Sequence, residues 1–277
     1  TYPRKCEKMN LAWRIVYCFV CLQALGFSAP SYNYTVMHKH GSAFDYFNSI
    51  CLSDKLDQVY GTHDLDLIWA RELSSNRSSD MRILSIGSGD CSLEVRIATL
   101  MHKRSGYYPR MVCYDPTPGT MLTSRTFVTS HVRQEWITRY EFWDELFDGQ
   151  SFDAVFAHHS LHHVVDLEGL YEYIAKSLVA DGTFVVSDMM GRNGHRRWPE
   201  QLHIVHKLWN VLQKKQHHDS LLDKELIDYP DMDYSGQLNE GVRSQDVLPL
   251  MVEHFCFDKF VAFGGLSFGI YWESPFQ

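Results

Sequence analysis

Two groups of residues in this chain have the types and spacing to do chemistry. The first is Gly87-Ser88-Gly89, placed where the apolar run Arg82–Ile86 gives way to a helical pattern. Glycine lets a ligand approach the backbone, and the helix N-terminus beyond it offers N–H groups and a partial positive charge. Asp115 closes the next apolar run, "RMVCYD". A carboxylate in that position can accept hydrogen bonds from both hydroxyls of a ribose. Strand, Gly-x-Gly, helix, strand and acid in that order point to an adenosine-containing ligand. NAD and S-adenosylmethionine both satisfy the pattern. The dinucleotide fingerprint asks for a third glycine at position 92, where this chain has Ser92, and that counts against an NAD-dependent oxidoreductase.

The second group follows a later apolar run: His158, His159, His162 and His163. Pairs at i and i+4 on a helix could hold a metal ion, but no acidic or cysteine partner stands nearby in the sequence, so no metal is assigned. An imidazole with a pKa of about 6.5 can take a proton from an attacking O–H or N–H, which makes His158 and His162 the candidate general bases. Further on, "GRNGHRRWPE" supplies Asn193, His195, Arg196 and Trp198, a set of donors, cations and a flat ring. It suits an acceptor bearing carboxylate, phosphate or sugar hydroxyls. The same residues would serve equally well as a structural loop pinned by arginine pairs.

The elements that position these residues alternate between strand and helix, the pattern of a parallel sheet covered on both faces. Strands are expected at Arg82–Ile86, over "RMVCYD", in "EWITRYEFW" up to Trp143, in "FDAVFAH" and in "TFVVSDMM". A helix follows Gly89, with Asp90 or Ser92 as its cap. Another opens at Asp166, and a third starts at Pro199. "VLPLMVEHF" reads as a short helix and "CFDKFVAFGGLSFGIYW" as one or two closing strands. The fold class is therefore α/β, doubly wound, mostly parallel with an antiparallel C-terminal strand, plus an N-terminal helical segment. Three regions are expected: an apolar segment and connector over 1–43, a helical prelude over 44–80, and a ligand-binding core over 81–277 with a substrate-side insertion at about 191–247.

A net charge of −8 gives no general attraction for phosphate backbones, so nucleic acid is disfavoured as a partner and a small-molecule acceptor preferred. The seven cysteines show no metal-ligand spacing, and those in apolar runs, Cys91, Cys113 and Cys256, read as buried reduced thiols of a reducing, cytoplasmic compartment. Against this stands Leu11–Ala29, an apolar stretch broken by Arg14 and Gln23. It reads either as a signal or anchor, with membrane association through residues 11–29 and entry to the secretory pathway, or as a buried or capping helix.

The segment Arg82–Met190 resembles class I SAM-dependent methyltransferases. The resemblance is carried by the glycine turn, by Leu161-His162-His163 after the fourth strand, and by the turn Leu178–Gly182 before the fifth. It extends into "GRNGHRRWPE" and "EGVRSQDVLPLM", which look like segments of a subgroup of unsettled substrate. It implies a Rossmann-like fold, S-adenosyl-L-methionine as cofactor, and methyl transfer to O or N of a small-molecule or glycan-like acceptor. The alternatives are the NAD-dependent enzyme and a SAM-fold protein that binds without turnover. The resemblance places Gly87, Ser88 and Gly89 against the methionine and ribose, Asp115 on the ribose hydroxyls, Trp143 or Asp144 near adenine, and His158 beside the cofactor. Ser85 and Cys91 depart from the family, which usually has an acid at the first position and often glycine at the second.

Overall fold

A computed structural model of the chain describes residues 14–16, 52–74, 80–212, 217–219, 224–236 and 239–262. The main sheet contains β1 (Arg14–Val16), β2 (Arg82–Ile86), β3 (Arg110–Tyr114), β4 (Tyr140–Trp143), β5 (Phe152–His158), β6 (Leu178–Ser187) and β9 (Cys256–Lys259). A separate two-residue ladder joins β7 (His218–Asp219) to β8 (Lys224–Glu225). The helices are α1 (Ser53–Tyr60), α2 (Leu65–Leu73), α3 (Ser92–Ser105), α4 (Thr120–His131), α5 (Leu167–Ser177), α6 (Pro199–Trp209) and α7 (Ser244–His254).

The strand order is β4-β3-β2-β5-β6-β1-β9, and the pairings in this sheet are parallel. Alternate residues of each strand enter different layers. Ile83, Met111, Ala154, Phe156 and Val185 pack with Ile68 and Leu73 of α2 and Ile97 and Met101 of α3. Leu84, Val112, Val155, Phe184 and Val186 pack with Leu170, Tyr171 and Ile174 of α5 and Val247 and Met251 of α7. Burial on both faces explains why these strands read as continuous apolar runs. The order reverses between β2 and β5: the chain leaves β2 toward β3 and β4, then returns to β5 and β6 on the other side. A crevice at the carboxyl ends of strands is expected at such a switch point, which places Gly87 and His158 on its two sides.

Several expectations are corrected. β9, the described one of the expected closing strands, runs parallel to β1; residues 263–277, where the expected antiparallel C-terminal strand falls, lie outside the described residues. In "EWITRYEFW" only Tyr140–Trp143 is extended, and Gln134–Arg139 form a 3₁₀ helix. Cys91 and Cys113 are joined as a disulfide, with Cα atoms 6.6 Å apart, and are not reduced thiols; Cys256 is also disulfide-bonded. Of residues 11–29, the described Arg14–Val16 form a strand between β6 and β9. Among the described residues no helix is long and apolar enough to cross a membrane.

Candidate active site

The glycine turn leaves the end of β2 with Gly87 at φ +69° and Gly89 at φ +54°, left-handed conformations that favour glycine. Gly87 has a second reason to lack a side chain: a Cβ there would lie 2.4 Å from the Cβ of Ser160. A Cβ at Gly89 would meet nothing within 4 Å, so the turn is open at that residue. The amides of Gly87 and Ser88 are engaged within the protein. Both donate to the Tyr114 carbonyl at the end of β3, at 2.8 and 3.0 Å. The Gly89 amide donates to Asp115 Oδ2 at 3.1 Å, and Asp115 Oδ1 accepts from the Thr117 amide at 2.9 Å. A carboxylate has about four lone-pair sites, so Asp115 retains capacity for two hydroxyls. Ser124 of α4 clasps the same turn, donating to the Gly89 carbonyl at 2.6 Å.

Beneath the turn, Ser85 donates to Glu94 Oε1 at 2.6 Å. Glu94 is only 2% exposed, and its Oε2 has no hydrogen-bond partner. Burial penalises its charged form and pushes its pKa up to about 7. The chain thus places an acid beside position 85 from the helix, where the strand itself supplies a serine.

On the other side of the crevice the four histidines take different roles. His158 stacks near Trp69, ring centroids 4.7 Å apart, and its buried Nδ1 has no partner. Burial and the neighbouring His159 lower its pKa to about 3, so it stays neutral and is a weak proton acceptor, contrary to its expected role as base. His159 is exposed, with φ at +49°. His162 is buried and donates from Nδ1 to Asp188 Oδ1 at 2.5 Å. Asp188 also accepts from the Ser160 and Leu161 amides at 3.0 and 2.6 Å. Burial would lower the His162 pKa, but the hydrogen bond and charge of Asp188, with Glu240 adding to them, raise it. Burial likewise opposes charge on Asp188, and His162 outweighs it, so the Asp188 pKa falls. The two form a buried hydrogen-bonded pair.

Glu240 completes the cluster from the far end of the chain. Its carboxylate lies 3.3 Å from His162 Nε2, 2.9 Å from His195 Nε2 and 3.8 Å from His163 Nε2. The approach depends on two glycines. Gly194 donates its amide to the Gly241 carbonyl at 2.8 Å, and a Cβ on Gly241 would lie 2.8 Å from the His195 amide nitrogen. Asp188 and Glu240 escaped the sequence reading because neither lies near the histidines in the chain. The available signal was position: Asp188 follows the last residue of a strand, and Glu240 opens "EGVRSQD", a segment already singled out.

The remaining candidates are largely engaged with the protein. Trp143 packs against Phe147 and Phe152 with the Arg82 guanidinium 5.4 Å over its ring, while Asp144 is exposed. Asn193 Oδ1 caps α7 through the Gln245 amide, and Arg196 pairs with Asp233 at 3.4 Å. Trp198 is 40% exposed at the start of α6.

Residues 84–186 match the family described as the methyltransferase domain. The matched segment is similar to methyltransferase domains. It spans β2 to β6 and contains the glycine turn, Asp115 and the histidines, and S-adenosylmethionine is the cofactor of such domains. No curated protein matches the chain. Solved structures similar to it include the YcgJ protein of Bacillus subtilis, at 19% identity over 44% of this chain and 49% of that one, TM-score 0.36. A Bacillus halodurans protein assigned as a methyltransferase matches at 13% identity over 69% and 68%, TM-score 0.41. The O-methyltransferase of a Brevibacillus brevis trans-AT PKS multienzyme, in complex with S-adenosyl-L-homocysteine, matches at 14% over 58% and 50%, TM-score 0.38. The chain spans about half the length of the first and third of these.

Proposed function

We propose that the protein transfers the methyl group of S-adenosylmethionine to an oxygen or nitrogen of a small-molecule or glycan-like acceptor. The observation that carries this reading is the junction of Gly89 and Asp115. An open, left-handed glycine sits at the head of α3, and a carboxylate with spare lone pairs is hydrogen-bonded to it at the end of the neighbouring strand. The sulfonium arrives already activated, so the protein's task is to hold nucleophile, methyl carbon and sulfur in line, an alignment worth roughly 7–11 kcal/mol. A base is needed only for a protonated nucleophile. With His158 kept neutral by burial, His162 and its carboxylate partners are the stronger source of proton-accepting groups. The acceptor side of this reading is the loop 191–200 that follows β6, where Trp198 is 40% exposed.

The test is calorimetric. S-adenosylmethionine and S-adenosylhomocysteine should bind, and Asp115→Ala should weaken both about tenfold or more, as expected when hydroxyls lose a charged acceptor. Unchanged affinity in that variant would remove the ribose assignment. NADH binding in place of either ligand would move the reading to an oxidoreductase. Transfer of labelled methyl to a panel of hydroxyl and amine acceptors separates turnover from binding alone.

A further inference from the structure

We propose that His162, His163 and Glu240 form a site for one divalent first-row transition-metal ion, with His195 hydrogen-bonded to the carboxylate and Asp188 fixing His162 from behind. One ligand atom from each of His162, His163 and Glu240 can be chosen so that all lie within 4.8 Å of one another. Bonds of about 2.1 Å in a tetrahedral shell set ligand atoms about 3.3–3.4 Å apart. Glu240 Oε2 stands 3.3 Å from His162 Nε2 and Oε1 3.8 Å from His163 Nε2. With separations of up to 4.8 Å in the set, closing the shell takes a movement on the order of 1 Å, which the partly exposed side chains of His163 and Glu240 can supply.

The surroundings of His162 are those of a metal ligand. Its Nδ1–H is committed to Asp188, which the Ser160 and Leu161 amides hold in place. That bond fixes the tautomer and leaves the Nε2 lone pair aimed outward, the carboxylate–histidine arrangement that orients ligating imidazoles. Nε2 then faces the Glu240 carboxylate, so His162 has an acid at each ring nitrogen. A doubly protonated ring, a protonated Glu240 or a cation between Nε2 and Glu240 would each satisfy both. The side chains of His163 and Glu240 are each 38% exposed, which leaves a path for the ion. Two imidazoles and one carboxylate suit ions such as Zn²⁺ or Fe²⁺ over Mg²⁺ or Ca²⁺, and three protein ligands leave a coordination position open.

That open position would take an acceptor hydroxyl, a role that rests on the methyl-transfer reading above. Binding to the ion eases loss of the O–H proton to solvent. The oxygen lone pair then forms the new C–O bond as the C–S bond breaks, and S-adenosylhomocysteine leaves with that electron pair on sulfur.

The test uses the full chain, stripped with a chelator and titrated with Zn²⁺ and with Co²⁺ as a spectroscopic probe, with S-adenosylhomocysteine affinity measured in parallel. One equivalent of metal should bind. Glu240→Gln and His163→Ala should each weaken it at least tenfold, and Asp188→Asn by about 10–100-fold. His163 is partly exposed, so its variant tests the site even if Asp188→Asn fails to fold. Binding that survives both His163→Ala and Glu240→Gln would belong to cysteines or other groups and would overturn the proposal, as would no binding of either metal. Metal binding without S-adenosylhomocysteine binding would instead leave the site standing and remove the methyl-transfer reading.

Discussion

The two sides of the crevice are built in opposite ways. The glycine turn and Asp115 come from one strand–helix–strand stretch, and their bonds run between elements adjacent in both sequence and space. The histidine cluster draws His162, Asp188, His195 and Glu240 from four separate segments and closes only when the chain between β6 and α7 folds back on itself. The first side is a local motif completed by β pairing. The second is a tertiary construction whose members mean little singly. Local geometry is enough to cradle a cofactor, whereas the residues that would meet an acceptor depend on the packing of the whole C-terminal part.

Asp188→Ala should break this contrast most strongly. It leaves His162 and two backbone amides without their buried acceptor, and losing one partner of a buried pair costs about 3–5 kcal/mol. Denaturant unfolding should show that loss, and a change below about 1 kcal/mol would mean that solvent already reaches the cluster.

Glu94 gives the next largest effect, on the cofactor side. Its folded pKa of about 7 exceeds its ordinary value of 4.5, so between those values the folded protein keeps a proton that the unfolded chain has released. The associated stability is full below about pH 4.5 and falls by roughly 1.4 kcal/mol per pH unit as pH rises through the window, levelling above pH 7. Glu94→Gln should flatten that slope. An unchanged pH profile in the variant would show that the carboxyl is not held protonated.

Gly87→Ala should cost roughly 1–3 kcal/mol, from the left-handed backbone and the clash with Ser160 together. Ser160→Gly should recover the part due to the clash and leave the backbone part. Equal stability of the single and double variants would assign the whole cost to φ. The smallest effect sharpens the comparison: Arg196→Ala removes a half-exposed pair with Asp233 and should change stability by no more than about 1 kcal/mol. If the loop governs the acceptor, the same variant raises acceptor KM with little change in cofactor affinity. Wild-type acceptor kinetics would make Arg196 a purely structural residue.

The parts of the fold that were legible share one property: their apolar pattern reports a single, simple environment. β2, β3, β5 and β6 are buried on both faces and stand out as continuous runs. Asp166 and Pro199 announce α5 and α6, and Asp166 does cap its helix through the Gly169 amide. α4 was not legible, because it buries only Ser124 and Val128 and is otherwise rich in threonine and serine. Yet Ser124 holds the glycine turn. Nothing local in the sequence shows that Glu94, in the first turn of α3, points into the core. Asp188 and Glu240 were invisible for the complementary reason: a carboxylate acquires its role from what folding brings against it.

Ser160 belongs to both sides of the crevice. Its Cβ lies under Gly87, its hydroxyl donates to the Ile86 carbonyl at 2.7 Å, and its amide donates to Asp188. A ligand that shifts the glycine turn therefore pulls on the atom that holds His162 in place, and a charge placed on the histidine cluster pulls back on the turn. Coupling through this joint would be reciprocal: whatever factor the first ligand applies to the affinity of the second, the second must return to the first. S-adenosylhomocysteine affinity, measured with the cluster loaded and stripped, reads that factor directly. Ser160→Ala keeps the amide and removes the hydroxyl, so it should bring the factor closer to one.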